Sequence, residues 1–173
     1  MDLIVVVLLL IAVWAIFIYN FLIRDKNRVL AAWSDIDVQL KRRHDLIPKL
    51  VDAVRAYTNY ERSTLDAITR LRSEAEQVEH PLEKAHLEHD LGLRMKKLIA
   101  VAEDYPELKS NEQYMQLLQQ LSEVEDHIQY ARRFYNGSVR DLNVRIDSFP
   151  DMIIANLFNF EQADFFEMEK SIP

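Results

Sequence analysis

The chain contains no cysteine, which excludes a disulfide framework, Cys-ligated zinc and thiol catalysis, and leaves the redox compartment open. Breakers are also scarce: the glycines are Gly92 and Gly137, and the prolines are Pro48, Pro81, Pro106, Pro150 and Pro173. Hairpins and strand turns need more of both, so the expected fold is all-α. A Gly-rich phosphate loop, a nucleophile elbow and a zinc-protease motif are missing too. Nothing in the chain asks for catalysis, and no enzymatic activity and no cofactor are expected.

Charge is missing from residues 3–23, an apolar run broken only by Asn20. At about 1.5 Å per residue, a helix of that length matches the ~30 Å hydrocarbon core of a bilayer. The run reads as a single transmembrane helix. Only Met1 and Asp2 precede it and no A-x-A-like site follows, so it is not read as a cleaved signal peptide. Tyr19 stands where an interfacial aromatic would anchor. Arg24, Lys26 and Arg28 follow, and despite Asp25 among them they favour a cytoplasmic location for the bulk of the protein.

The remaining residues, 24–173, are enough for one domain with its own core. The net charge of −7 is unevenly spread: residues 24–72 carry 11 basic and 7 acidic side chains, and residues 73–173 carry 10 and 20. A basic membrane-proximal third suits anionic headgroups, while the acidic remainder argues against nucleic acid as a partner. Pairing of the two signs across packed helices explains the same pattern equally well.

From Val29 the steps alternate between three and four, through Trp33, Ile36, Leu40, Arg43, Ile47, Leu50, Val54, Tyr57, Glu61, Thr64, Ile68 and Leu71, a heptad seam. With no turn signal after the apolar run, the expectation is one helix leaving the bilayer and continuing to about Ser73, roughly 105 Å long, kinked rather than reversed near Pro48. Pro81 opens a second helix with His80 as its cap, and Leu91, Met95, Leu98, Ala102 and Tyr105 share a face. After a loop over 105–111, the Ser110 and Gln113 spacing suggests a capping box. The third helix carries Tyr114, Leu117, Leu121, Val124, Ile128, Ala131, Tyr135, Ser138, Leu142, Arg145 and Phe149, and Pro150 stops it. The architecture expected is therefore a transmembrane helix continuing into a long antiparallel up-down bundle. Residues 151–173 are too aromatic for a solvated tail. They either pack across the bundle as its missing fourth layer or dock on another subunit, a partner or the membrane surface.

Arg43 at a seam position has to be paired if buried, and its natural partners are acids of the third helix such as Glu125 or Asp141. The candidate structural polar layer is Asp37, Arg42, Arg43, Asp45, Glu125, Arg132 and Asp141, with His44 on a polar face or in an ion-pair cluster. A helix of this length should expose seam that its partners cannot cover, which makes Trp33 and Ile36, then Phe158, Phe165 and Phe166, the candidate interface of a homo-oligomer, unless the third helix and the tail fold back far enough to cover that seam within one subunit. A di-metal carboxylate site would need two Glu-x-x-His pairs. Only Glu83 and His86 fit, with His89 following and Glu123, Glu125 and His127 as complement, so no metal is expected.

The block Ile36-Asp37-Val38-Gln39-Leu40-Lys41-Arg42-Arg43-His44-Asp45-Leu46-Ile47-Pro48-Lys49-Leu50-Val51, the loop Tyr105-Pro106-Glu107-Leu108-Lys109-Ser110-Asn111, and Ala131-Arg132-Arg133-Phe134-Tyr135-Asn136-Gly137-Ser138-Val139 with Asn143 and Phe149-Pro150 resemble the LemA family of bacterial membrane proteins. Lys49 departs from it, since members commonly have Asn there. The resemblance implies one N-terminal membrane helix, a helical bundle, no established enzymatic activity and an envelope role. The function expected is a non-enzymatic scaffold or assembly protein of the bacterial inner membrane, self-associating. Because relatives are often encoded near membrane-stress proteases, the alternative is an accessory subunit or regulator of a membrane protease or other envelope-stress enzyme.

Overall fold

The apolar run and the first heptads form one helix, α1 (Asp2–Tyr57), in the computed structural model, which describes residues 2–57 and 62–166. Its 56 residues span about 84 Å. It passes through Pro48 without reversing, and it is long and apolar enough to cross a membrane. From Leu3 to Phe17 nearly every side chain is exposed, whereas Ile18 and Leu22 are buried.

The long stalk expected to reach Ser73 ends at Tyr57. The next helix, α2 (Arg62–Gln77), lies antiparallel to α1: Arg55 Nη2 is 3.8 Å from Asp66 Oδ1, and farther back His44 Nδ1 is 3.6 Å from Glu76 Oε1. Helices α1 and α2 thus run in opposite directions. Leu65, Ile68 and Ala75 of α2 are buried while Leu71 is only half-buried. Reversal brings this apolar face back onto α1 and α3 instead of leaving it in water. Glu61, placed in the seam above, lies outside the described residues.

Helix α3 (Pro81–Ala102) opens on Pro81 with His80 at the cap position, though no side-chain bond caps it. Leu91, Met95, Leu98 and Ala102 are buried. A short α4 (Pro106–Lys109) inserts Leu108 under the far end of the bundle, and α5 (Glu112–Asp147) starts on Asn111, whose side chain accepts from Tyr114 N at 3.1 Å. The cap is therefore Asn111 and not Ser110, whose hydroxyl donates to the Pro106 and Glu107 carbonyls. Ion pairs give the directions. Asp37 with Lys84 and Arg43 with Glu88 set α3 parallel to α1, and Arg43 with Glu125 and Asp25 with Arg145 set α5 antiparallel.

The result is an all-α, four-helix up-down-up-down bundle of α1, α2, α3 and α5, continuous with the apolar helix. The core runs along it through Ile36, Leu40, Ile47 and Leu50 of α1 and Leu121, Val124 and Ile128 of α5. Each fully buried Leu or Ile contributes about 1.5–3 kcal/mol. The fourth layer is α2, so the C-terminal segment does not supply it. Helix α6 (Asp151–Leu157) packs across α1, with Ile154 and Ala155 turned inward and Phe158 at its end against Tyr19. It ends in a Schellman motif, with Asn159 at φ 53°, Phe160 N donating to Ala155 O and Asn159 N to Asn156 O. Residues 160–166 then run back along α5 as a strap.

Candidate functional site

The membrane-distal half of the bundle holds charges that burial should forbid. Arg43 is 4% exposed, His44 2% and Glu88 2%. Consecutive residues on a helix point about 100° apart, so Arg43 and His44 of α1 reach different neighbours. Arg43 Nη1 donates to Glu125 Oε2 of α5 at 3.0 Å, and Nη2 donates to the Glu88 carbonyl at 2.6 Å and lies 2.8 Å from Glu88 Oε2 on α3. The other oxygen, Glu88 Oε1, accepts from His44 Nε2 at 2.6 Å. His44 Nδ1 faces Glu76 of α2, which also accepts from Arg72 at 2.9 Å. One chain of polar contacts thus runs from Glu125 to Arg72 through all four bundle helices. One turn toward the membrane, Lys84 Nζ meets Asp37 Oδ1 at 2.7 Å and sits 5.8 Å from the centre of the Trp33 ring.

Such a layer sets register. A slip of one helix would leave Arg43 or Glu88 desolvated without its partner, and a stranded buried charge costs several kcal/mol. Of the residues proposed for it, Arg43 and Glu125 meet directly and Asp37 pairs one turn away. Arg42 is exposed and bonds to Gln39, and Asp45 faces solvent. Arg132 and Asp141 lie elsewhere. Arg132 donates to the Phe166 carbonyl, and Asp141 sits 4.0 Å from Arg28 near the bilayer end. Sequence reasoning missed Glu88, Lys84 and Glu76; the available signal was that Lys84, Glu88, Leu91, Met95 and Leu98 form one three-four series on α3.

A second cluster closes the membrane end. Arg145 Nε donates to Asp25 at 2.6 Å and Nη1 to Asp151 at 3.0 Å, tying α5, α1 and α6 together just past Ile23. Burial alone would lower the guanidinium pKa, but the bonds to Asp25 and then Asp151 outweigh it and leave it raised. Asp25, read in the sequence as an interruption of the cation cluster, is the anchor of this clasp.

The strap explains the proposed interface residues. Asn143 donates to and accepts from the Ala163 backbone at 3.0 and 2.9 Å, and Asn136 does the same for Phe166 at 3.1 and 2.9 Å. Two side-chain amides stand in for a neighbouring strand. The Trp33 ring packs against Tyr135 and Phe166, with centroids 5.4 and 5.7 Å apart. Ile36 and Phe166 are fully buried and Phe165 is half-buried. The seam near Trp33 is therefore covered by the chain's own strap and α5, the within-subunit alternative of the two weighed from the sequence. Phe158 alone of that set is exposed, against Tyr19 at 4.8 Å.

Tyr135 donates to the Asp164 carbonyl at 2.8 Å. Burial, and then the Asp164 charge, push its pKa from 10.0 up to about 12. The folded state favours the protonated phenol, so the contribution of Tyr135 is complete below pH 10 and is lost as pH rises from 10 through about 12. Ultraviolet phenolate titration should show a late ionisation that Tyr135→Phe removes. An ionisation of Tyr135 at pH 10 would contradict this burial.

Among the described residues no three His, Asp or Glu side chains are grouped to hold a metal ion. His86 and Glu83 point to solvent on α3.

A model of the LemA family matches residues 32–172. Protein LemA of Metamycoplasma hominis is 30% identical over 153 residues, covering 86% of this chain and 68% of that protein. Magnetosome protein MamQ 2 of Paramagnetospirillum magneticum is 32% identical over 76 residues, 44% of this chain, and MamQ of Magnetospirillum gryphiswaldense is 29% identical over 75. The chain spans 28% of the length of each MamQ protein. With its apolar α1, this is a membrane-associated helical protein. The family match over most of the sequence settles its kinship: the chain belongs to the LemA family.

Proposed function

We propose that this protein is a non-enzymatic scaffold or assembly protein of the bacterial envelope, anchored by one span in the inner membrane with its bundle in the cytoplasm, and associating with copies of itself. The observation that carries the reading is α1, in which the apolar stretch and the first bundle helix are one unbroken element. A helix of about 84 Å has no hinge loop to decouple the bundle from the bilayer, and the clasp of Asp25, Arg145 and Asp151 braces it at the point of exit. The protein therefore holds a rigid body at a set distance from a membrane. Exposed apolar side chains on the bundle walls, among them Leu30, Val38, Tyr130 and Phe134, support contact between copies.

Two measurements test this. Mass determination of the full-length protein in detergent should give a multiple of the 20.4 kDa chain without stoichiometric metal. A single-chain mass with a co-purifying membrane protease would replace the scaffold by the accessory-subunit reading, and bound iron or zinc in one-to-one ratio would overturn the non-enzymatic one. A reporter fused after Pro173 should work in the cytoplasm. Alkaline-phosphatase activity of that fusion would reverse the orientation.

A further inference from the structure

The outer face of α6 is an apolar surface at an unusual height. Phe149 is 78% exposed and Leu157 67%, and Met152, Ile153 and Phe158 beside them are exposed too. In water so many adjacent large apolar groups would be a liability. Their position along α1 removes it. The Phe158 and Phe160 rings lie 4.8 and 5.8 Å from that of Tyr19, α6 packs on α1, and Ile18 and Leu22 on either side of Tyr19 are buried. All three α1 residues belong to the uncharged run that ends at Ile23. Tyr19 lies four residues, or about 6 Å, inside that end, within the ~5–10 Å depth at which interfacial helices bed their apolar face.

The polar groups around α6 are sorted by height in the same way. Asp151, at its start, is turned up into the Arg145 clasp, and a groove next to it is lined by Arg24, Arg28, Arg140 and Arg145 with Asp25 and Asp141. Asp25 and Asp151 hold Arg145, Asp25 also lies 3.7 Å from Arg24, and Asp141 faces Arg28 and Arg140, so the four arginines of the groove outnumber its three aspartates at headgroup level.

We propose that α6 and its flanking phenylalanines form a second membrane-contacting element, bedded in the leaflet from which α1 emerges, with Arg24, Arg28 and Arg140 on the phosphates of its phospholipids. The occupant of the apolar face is lipid, since that face is continuous with the lipid-facing surface of α1. The proposal rests on residues 3–23 spanning the bilayer. Its effect is to fix the bundle's tilt and rotation by two points of contact instead of one.

The absence of cysteine allows single labels in an otherwise native full-length chain. Ile153→Cys and Leu157→Cys, each carrying an environment-sensitive fluorophore, are reconstituted in phosphatidylglycerol-containing vesicles with spin-labelled lipids, with Leu10→Cys as reporter of the span and Leu93→Cys on the bundle as reference. The expected result is blue-shifted emission and loss of most of it at 153 and 157 with shallow quenchers, loss at 10 with deep quenchers, and no loss at 93. Water-like, unquenched emission at 153 and 157 with a quenched label at 10 overturns the docking of α6 while the span stands. An unquenched label at 10 overturns both. Shielded but unquenched labels at 153 and 157 that crosslink between chains overturn lipid in favour of a second copy.

Discussion

Glu88→Ala is expected to lower the unfolding free energy of the bundle by about 3–5 kcal/mol, the cost of leaving buried charge without its partner. Arg43 and His44 both rely on the Glu88 carboxylate, at 2.8 and 2.6 Å, and neither has water to replace it. For a domain of this size the midpoint of thermal unfolding should fall by about 10 °C. Arg43→Ala should cost a similar amount, because it strands Glu88. The double variant should cost much less than the sum, since the two residues act on each other. Circular dichroism against temperature or urea checks all three. A loss under about 1 kcal/mol for either single variant, the behaviour of a surface pair, would show that the layer does not hold the bundle. The layer has a second consequence: it links four helices through side chains that cannot be repaired by small shifts, so loss of Glu88 should loosen α2 as well as α3. Faster amide exchange in α2 would register that spread.

Phe166→Ala should cost about 3–5 kcal/mol as a large aromatic truncated in a closed site, and should also release the strap. Phe166 is 1% exposed, packs on Trp33, and has both backbone polar groups held by Asn136. When its ring is lost, the Asn136 and Asn143 bonds have little left to hold. In a Trp14→Phe background, Trp33 emission should shift to the red as water reaches the ring. The smaller change Asn136→Ala should raise amide exchange at Phe166 while leaving the bundle folded. Unchanged Trp33 emission and a loss under about 1 kcal/mol for Phe166→Ala would mean that α5 covers Trp33 without the strap.

These variants separate two kinds of information in the chain. The helices are local matters: the three-four spacing from Val29 to Val54 and from Tyr114 to Leu142 is the periodicity of a helix burying one face, and nearly all those side chains are buried. Pro81 opens a helix where its fixed φ and missing donor predict, while Pro106 opens the one-turn α4 inside a stretch expected to be loop. The antiparallel return of α2 along α1 was not legible because the apolar spacing continues from one helix into the other. A repeat reports which face is apolar and carries nothing about direction, so a straight rod and a hairpin share one pattern.

Pairing was legible for one member only. Arg43 at an apolar position demanded an acid and Glu125 supplies it, but Asp141, weighed equally, stands by Arg28 at the other end of the bundle. Glu88 stood out only by its place in the three-four series of α3, and its pairing with Arg43 depended on α3 lying parallel to α1. The sequence by itself determined that the chain is helical, that residues 3–23 form an apolar helix of membrane-crossing length, and that a charge is buried near residue 43, because composition, length and local periodicity suffice for each. Only the tertiary structure decided the fourth helix, the closure of Trp33 by the strap and the height of α6 on α1, because each depends on which distant faces meet, and that is settled by the burial of the whole set together.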